Sequence, residues 1–257
     1  MNKAAKKKYK QSNADSIRRL GKLLYDSGVI GDKKKFEDAY NQCLNGPIPE
    51  IAGVNIDYSK CWGYSLSNVI VSIPIDLKGN TVLPDGAKVS SISVSSTVIG
   101  NYVREDYCSD PFSHLEFNII LKGEDINGAE MVASWHLDRH LVSKKDPINA
   151  HPIYHFQYGG KNLKLPNSNY GSHLVVDSPR IMHLPLDTVL GFDFILTNFL
   201  GEKSSDLRRR NRPYVALVQT FQKAIWRPYI HSIARHWDPY EPEKFEWDNV
   251  AICPQIV

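Results

Sequence analysis

The chain has 257 residues, of which 42% are hydrophobic and 23% charged, and a formal net charge of +3. That balance belongs to a folded protein with a sizeable core, and it excludes a disordered polyelectrolyte. No apolar run approaches the ~20 residues that a membrane-spanning helix needs, so no membrane contact is expected.

The four cysteines, Cys43, Cys61, Cys108 and Cys253, are scattered and form no CxxC pair, so no cysteine zinc site is signalled. Isolated cysteines in a chain of this length predict reduced thiols and a cytoplasmic protein. The lysine-rich start has no apolar segment behind it, so no secretory signal is expected. Two basic clusters stand out: Lys3, Lys6, Lys7, Lys8 and Lys10, and then Arg208, Arg209, Arg210 and Arg212. Such clusters either meet phosphates of a nucleic acid or nucleotide, or are simply solvated.

Residues 1–14 are polar and read as a mobile tail. From Asp15 the spacing of Ile17, Leu20, Leu23 and Leu24 is helical, and Gly28 and Gly31 end the pattern. A second helix is expected over 33–44, with Phe36, Ala39, Tyr40 and Cys43 on one stripe. Residues 1–46 therefore read as a basic tail and helical arm, and 47–257 as a single α+β domain. The stretch 47–66, which holds Trp62, reads as irregular.

The period then changes to strand. Strands are expected over 68–76 and 88–103, separated by the turn signal Leu83-Pro84-Asp85-Gly86. The serines of the second run predict one wet face. Over 114–122, Leu115, Phe117, Ile119 and Leu121 alternate with His114, Glu116 and Asn118. A hairpin loop over 123–128 leads into a strand over 130–140. After the loop 141–150 comes a strand over 151–158, and 174–176 is a further short candidate. The segment 186–200 is strongly apolar and predicts a buried helix, with Pro185 in its first turn. The charged stretch 202–212 reads as a linker. A last helix starts at Pro213 and is expected to kink or divide at Pro228. From Asp238 the tail is acidic and aromatic, and it carries Trp237, Tyr240, Phe245 and Trp247 at or near its start. The expected fold is α+β: a central antiparallel sheet of five or six strands over 68–176, an N-terminal helical pair, and two C-terminal helices packed on one sheet face.

The stretch 135–160 reads W-H-L-D-R-H, then ten residues, then H-P-I-Y-H-F-Q-Y-G-G, and it holds four of the nine histidines. Strand alternation sorts it into two faces. Trp135, Leu137, Tyr154 and Phe156 make an apolar face. His136, Asp138, His140, His151, His155 and Gln157 make a polar one. Pairing Trp135 with Phe156 and Leu137 with Tyr154 sets His136 opposite His155 and His140 opposite His151. Any register that keeps the apolar sides together keeps this segregation. Glu116 and His114 join the polar face if the 114–122 strand pairs in register with the 130–140 strand.

Three chemistries use such a patch. A divalent metal ion can be held by His136, Asp138, His140, His151 and His155 through imidazole nitrogen and carboxylate oxygen. Alternatively, His136 and His155, oriented by Asp138, can act as an acid–base pair on a phosphodiester. Arg139, Gln157, Lys161 and Arg180 would then contact the phosphate. The same groups can also bind a small anionic ligand, such as a nucleotide, without turnover. The leading expectation is a phosphodiester hydrolase, a nuclease or nucleotide-acting enzyme with RNA as the foremost substrate. The alternative is a non-catalytic subunit or interaction module that meets nucleic acid, or a protein partner through the arginine cluster and the aromatic C-terminal region.

Overall fold

Among the described residues six strands form one antiparallel sheet in which each strand pairs with its sequence neighbour, in the order β1-β2-β3-β4-β5-β6. The strands are β1 (Cys61–Val71), β2 (Lys88–Asn101), β3 (Phe112–Glu124), β4 (Glu130–Arg139), β5 (Tyr154–Tyr158) and β6 (Ile181–Met182). The computed structural model describes residues 2–53, 55–71, 86–102, 109–139, 151–159, 180–237 and 252–253, with the side chains of 201–205 excepted. His140, the loop 141–150, Lys161, the candidate strand 174–176 and the aromatic tail beyond Trp237 lie outside the described residues.

The sheet has one apolar and one polar face, as the alternation requires. Leu66, Ser96, Phe117 and Leu137 lie in one cross-strand row, and Tyr64, Val98 and Leu115 in the next. Ser93, Ser95 and Thr97 of β2 fall on the opposite face, opposite Ile120, Asn118 and Glu116. The hairpin between β3 and β4 is closed by Asp125, whose Oδ1 accepts from the amides of Asn127 and Ala129, both at 2.8 Å. Gly128 takes the left-handed conformation that this turn needs (φ 78°).

The helices cover the apolar face. They are α1 (Lys3–Asp26), α2 (Lys34–Asn45), α3 (Thr188–Phe199), α4 (Gly201–Arg210), α5 (Arg212–Phe221) and α6 (Arg227–Ala234). The α3 helix packs on the sheet through small and hydroxyl side chains. Its Gly191 backs onto Phe117, where any Cβ would overlap the ring. Thr188 Oγ1 accepts from Tyr64 Oη at 2.9 Å and lies 2.7 Å from Ser96 Oγ. The Phe36 ring of α2 sits 5.5 Å from that of Phe192, so the N-terminal pair and α3 share one core. Among the described residues no helix is long and apolar enough to cross a membrane.

Several expectations are corrected. Residues 3–14 are helical rather than a loose tail, because Tyr9 packs its ring 6.1 Å from Trp62 and 5.9 Å from Tyr102, and Ala14 is buried. Trp62 belongs to β1, so the sheet begins at Cys61 rather than at residue 68. The charged stretch after Gly201 is helix α4, not a linker. Arg208 ties it to α3 through Asp193 (2.9 Å), and Tyr214 donates to the same carboxylate at 3.1 Å. Two members of the arginine cluster are therefore in ion pairs within the chain, Arg208 with Asp193 and Arg210 with Asp206 (3.3 Å). Pro185 precedes the cap of α3 rather than sitting in its first turn; the cap is Asp187, which accepts from the Leu190 amide at 3.0 Å. The expected division near Pro228 is present: α5 ends at Phe221 and α6 begins at Arg227, with Pro228 in its first turn. The preceding turn, Gln222–Trp226, is widened to a π turn, which gives the proline ring room against the carbonyl four residues back.

Candidate functional site

The polar face is densest where β3, β4 and β5 run side by side. In β4 and β5, Trp135 pairs with Tyr158, His136 with Gln157, Leu137 with Phe156, Asp138 with His155 and Arg139 with Tyr154. The register is displaced by two residues from the one expected, so His136 does not face His155. A two-residue shift leaves every side chain on its face. The observed pairing is favoured on the apolar side. It sets Trp135 edge-on to Tyr158 with centroids 5.4 Å apart. It also brings Arg139 beside Tyr154, so that Arg139 Nε (2.8 Å) and Tyr154 Oη (2.6 Å) both reach Asp110.

The pairing of β3 with β4 places Glu116 opposite Asp138 and Asn118 opposite His136. Two adjacent rows therefore cross the sheet: Glu116, Asp138 and His155, then Asn118, His136 and Gln157. Directly opposed β-carbons lie about 5 Å apart. Within these rows one group converges. His136, Asp138 and His155 each offer a ligand atom, and those atoms lie within 4.8 Å of one another. His136 Nε2 is 3.5 Å from Asp138 Oδ2.

The surroundings of this group are not those of a wet sheet face. His155 is 3% exposed and Gln157 6%. His155 Nδ1 lies 3.3 Å from the Pro152 carbonyl oxygen, and the His151 ring stands edge-on to it at 4.8 Å. Burial, reinforced by the neighbouring His151, lowers the His155 pKa to about 4. At neutral pH the ring is uncharged, the form that ligates metals and a poor acceptor of protons. His136 and Asp138 are more open, with side chains 14% and 36% exposed, so the cluster has a buried floor and an accessible rim.

The other predicted residues divide. Gln157 is on the polar face beside His136. Arg180 is exposed, and its charge acts on His155. His151 adjoins His155, but it precedes β5 and is not one of the converging three. Arg139 is not with the histidines: alternation puts it on the apolar side, where it is bound to Asp110. His140 and Lys161 lie outside the described residues. His183, just ahead of α3, is not part of the cluster. Its ring packs against Phe156 (5.4 Å) and Phe194 (5.8 Å), and the Asp187 carboxylate takes the helix terminus. Two further groups belong to the site: Asn118, which donates to Glu116 Oε1 at 2.8 Å, and the Pro152 carbonyl beside His155. The alternation over 114–122 carried the first signal; nothing in the sequence carried the second.

No family model, no curated protein and no solved structure matches the chain.

Proposed function

We propose that this chain is a divalent-metal-dependent hydrolase of phosphodiester bonds, in RNA, DNA or a nucleotide, with His136, Asp138 and His155 as its metal ligands. The observation that carries the proposal is the convergence of two imidazoles and a carboxylate from adjacent strands on one face, with ligand atoms within 4.8 Å of one another. An ion bound by three protein groups keeps positions open for water and for a substrate oxygen. Held there by His136, Asp138 and His155, such an ion would supply a water of lowered pKa and would offset charge on the phosphorus oxygens. Arg180, exposed and close enough to act on His155, is suited to meet the substrate phosphate.

The reading predicts cleavage of end-labelled RNA or DNA oligonucleotides, or of a chromogenic phosphodiester, that is abolished by a chelator and restored by added metal. His136→Ala should lower the rate roughly 100-fold or more while leaving the far-ultraviolet circular dichroism unchanged. Cleavage that persists in this variant at the wild-type rate would remove the assignment.

A further inference from the structure

We infer that the ion held by His136, Asp138 and His155 is a single borderline transition ion of the zinc class, and that Mg²⁺ and Ca²⁺ do not serve as its resident metal. The inference rests on the metal-site half of the proposed function and does not depend on hydrolysis. Its first support is the donor set. Among the described residues, the group that meets at one point brings two nitrogens and one carboxylate. Ca²⁺ takes six to eight oxygens, and Mg²⁺ takes an octahedron of oxygens, mostly water. Imidazole nitrogen instead suits zinc, copper, iron and nickel.

The second support is what the oxygens of the same face are doing. Glu116 lies opposite Asp138, which is where a second carboxylate would have to come from to make an oxygen-rich site. It is not one of the converging group, and its Oε1 accepts from Asn118 Nδ2 at 2.8 Å. Among the described residues the face therefore presents one ligating carboxylate, not the cluster a hard ion requires. One carboxylate also gives too little charge to hold two divalent ions close together.

The third support is geometric. All three ligands rise from one face of one sheet: two from alternate positions of β4, and one from the residue of β5 opposite Asp138. They approach an ion from the same side, so the sheet face itself fills only three of its positions. That suits an ion content with four or five ligands, such as zinc.

The test is calorimetric titration of the full chain, freed of metal, with Zn²⁺, Mg²⁺ and Ca²⁺ in turn, and ligand-field spectroscopy of the Co²⁺-loaded protein. The expected result is one Zn²⁺ per chain, bound at least about 100-fold more tightly than Mg²⁺ or Ca²⁺. His136→Ala and Asp138→Asn should each weaken Zn²⁺ at least tenfold and alter the Co²⁺ bands, while His231→Ala, an exposed histidine on α6, should change neither. Asp138→Asn is nearly isosteric at a partly exposed position, so it tests the site even if the alanine variant folds poorly. Comparable affinity for Mg²⁺, a second tight Zn²⁺ equivalent lost in Glu116→Gln, or Zn²⁺ binding unchanged in both ligand variants would each overturn the inference. Tight, site-dependent Zn²⁺ binding without phosphodiester cleavage would leave it standing and remove the hydrolase reading.

Discussion

Asp187 caps α3 with a carboxylate that is 2% exposed, and burial raises its pKa to about 7. A carboxyl whose folded pKa lies above the unfolded value binds its proton more tightly in the folded state. Its contribution to stability is complete below about pH 4 and is lost as the pH rises through 7. His155 acts in the opposite sense: its folded pKa, about 4, lies below the unfolded 6.5, so stability is lost as the pH falls from 6.5 to 4. The two slopes oppose each other over most of this window. Asp187→Asn, which keeps a good capping side chain, should therefore unmask the histidine. The stability of the variant relative to wild type is expected to grow from pH 4 to 7 by up to roughly 1.4 kcal/mol per pH unit, and to level off above 7. Urea unfolding at intervals of half a pH unit measures the difference directly; a pH-independent difference would show that Asp187 is not held protonated by the fold.

At the scale of elements, α3 and β3 touch where Gly191 meets Phe117. Gly191→Ala should cost about 1–3 kcal/mol through overpacking, despite the better helix propensity of alanine. Phe117→Leu in the same chain should recover part of that loss, and a double-mutant cycle by denaturant unfolding reads the coupling. The strands and helices were largely legible in the sequence because each has a dominant period: two for Leu115, Phe117, Ile119 and Leu121, and helical for the apolar segment after Asp187. The two-faced character of β4 and β5 was legible for the same reason. The register was not, because a two-residue shift keeps the faces and is decided by Arg139 and Tyr154 meeting Asp110, a residue well upstream. That shift decides which pair becomes direct neighbours in the site, so Asp138, not His136, stands beside His155. The N-terminal tail and the stretch after Gly201 were misread for a common reason. Both are rich in charge, and their helicity is fixed by tertiary partners: Trp62 and Tyr102 for Tyr9, and the buried Asp193 for Arg208.

Across the molecule, one contiguous core joins α1 and α2 to the sheet and to α3, with Leu20, Leu24 and Phe36 at 0% exposure in the N-terminal pair. Burying side chains of this size contributes about 1.5–3 kcal/mol each. A chain beginning at residue 47 should therefore lose cooperative unfolding and near-ultraviolet circular dichroism; a truncated chain with an unchanged melting transition would make the helical pair a separate unit. The sheet itself is uneven. Among the described residues, from β2 to β6 its strands shorten from 14 residues to 13, 10, 5 and 2. Among the described residues, backbone pairing at the β6 margin is limited to two residue pairs, and regions with few such bonds open at low free energy. The candidate ligands straddle the seam where this thinning sets in, two on β4 and one on β5. An ion bound there is a rivet across the weak seam: it favours the closed margin by mass action, in proportion to the logarithm of its concentration over its dissociation constant. Deuterium uptake by the amides of residues 154–158 should then slow when zinc is added and speed up when it is chelated, while the β1–β2 ladder exchanges at the same rate in both.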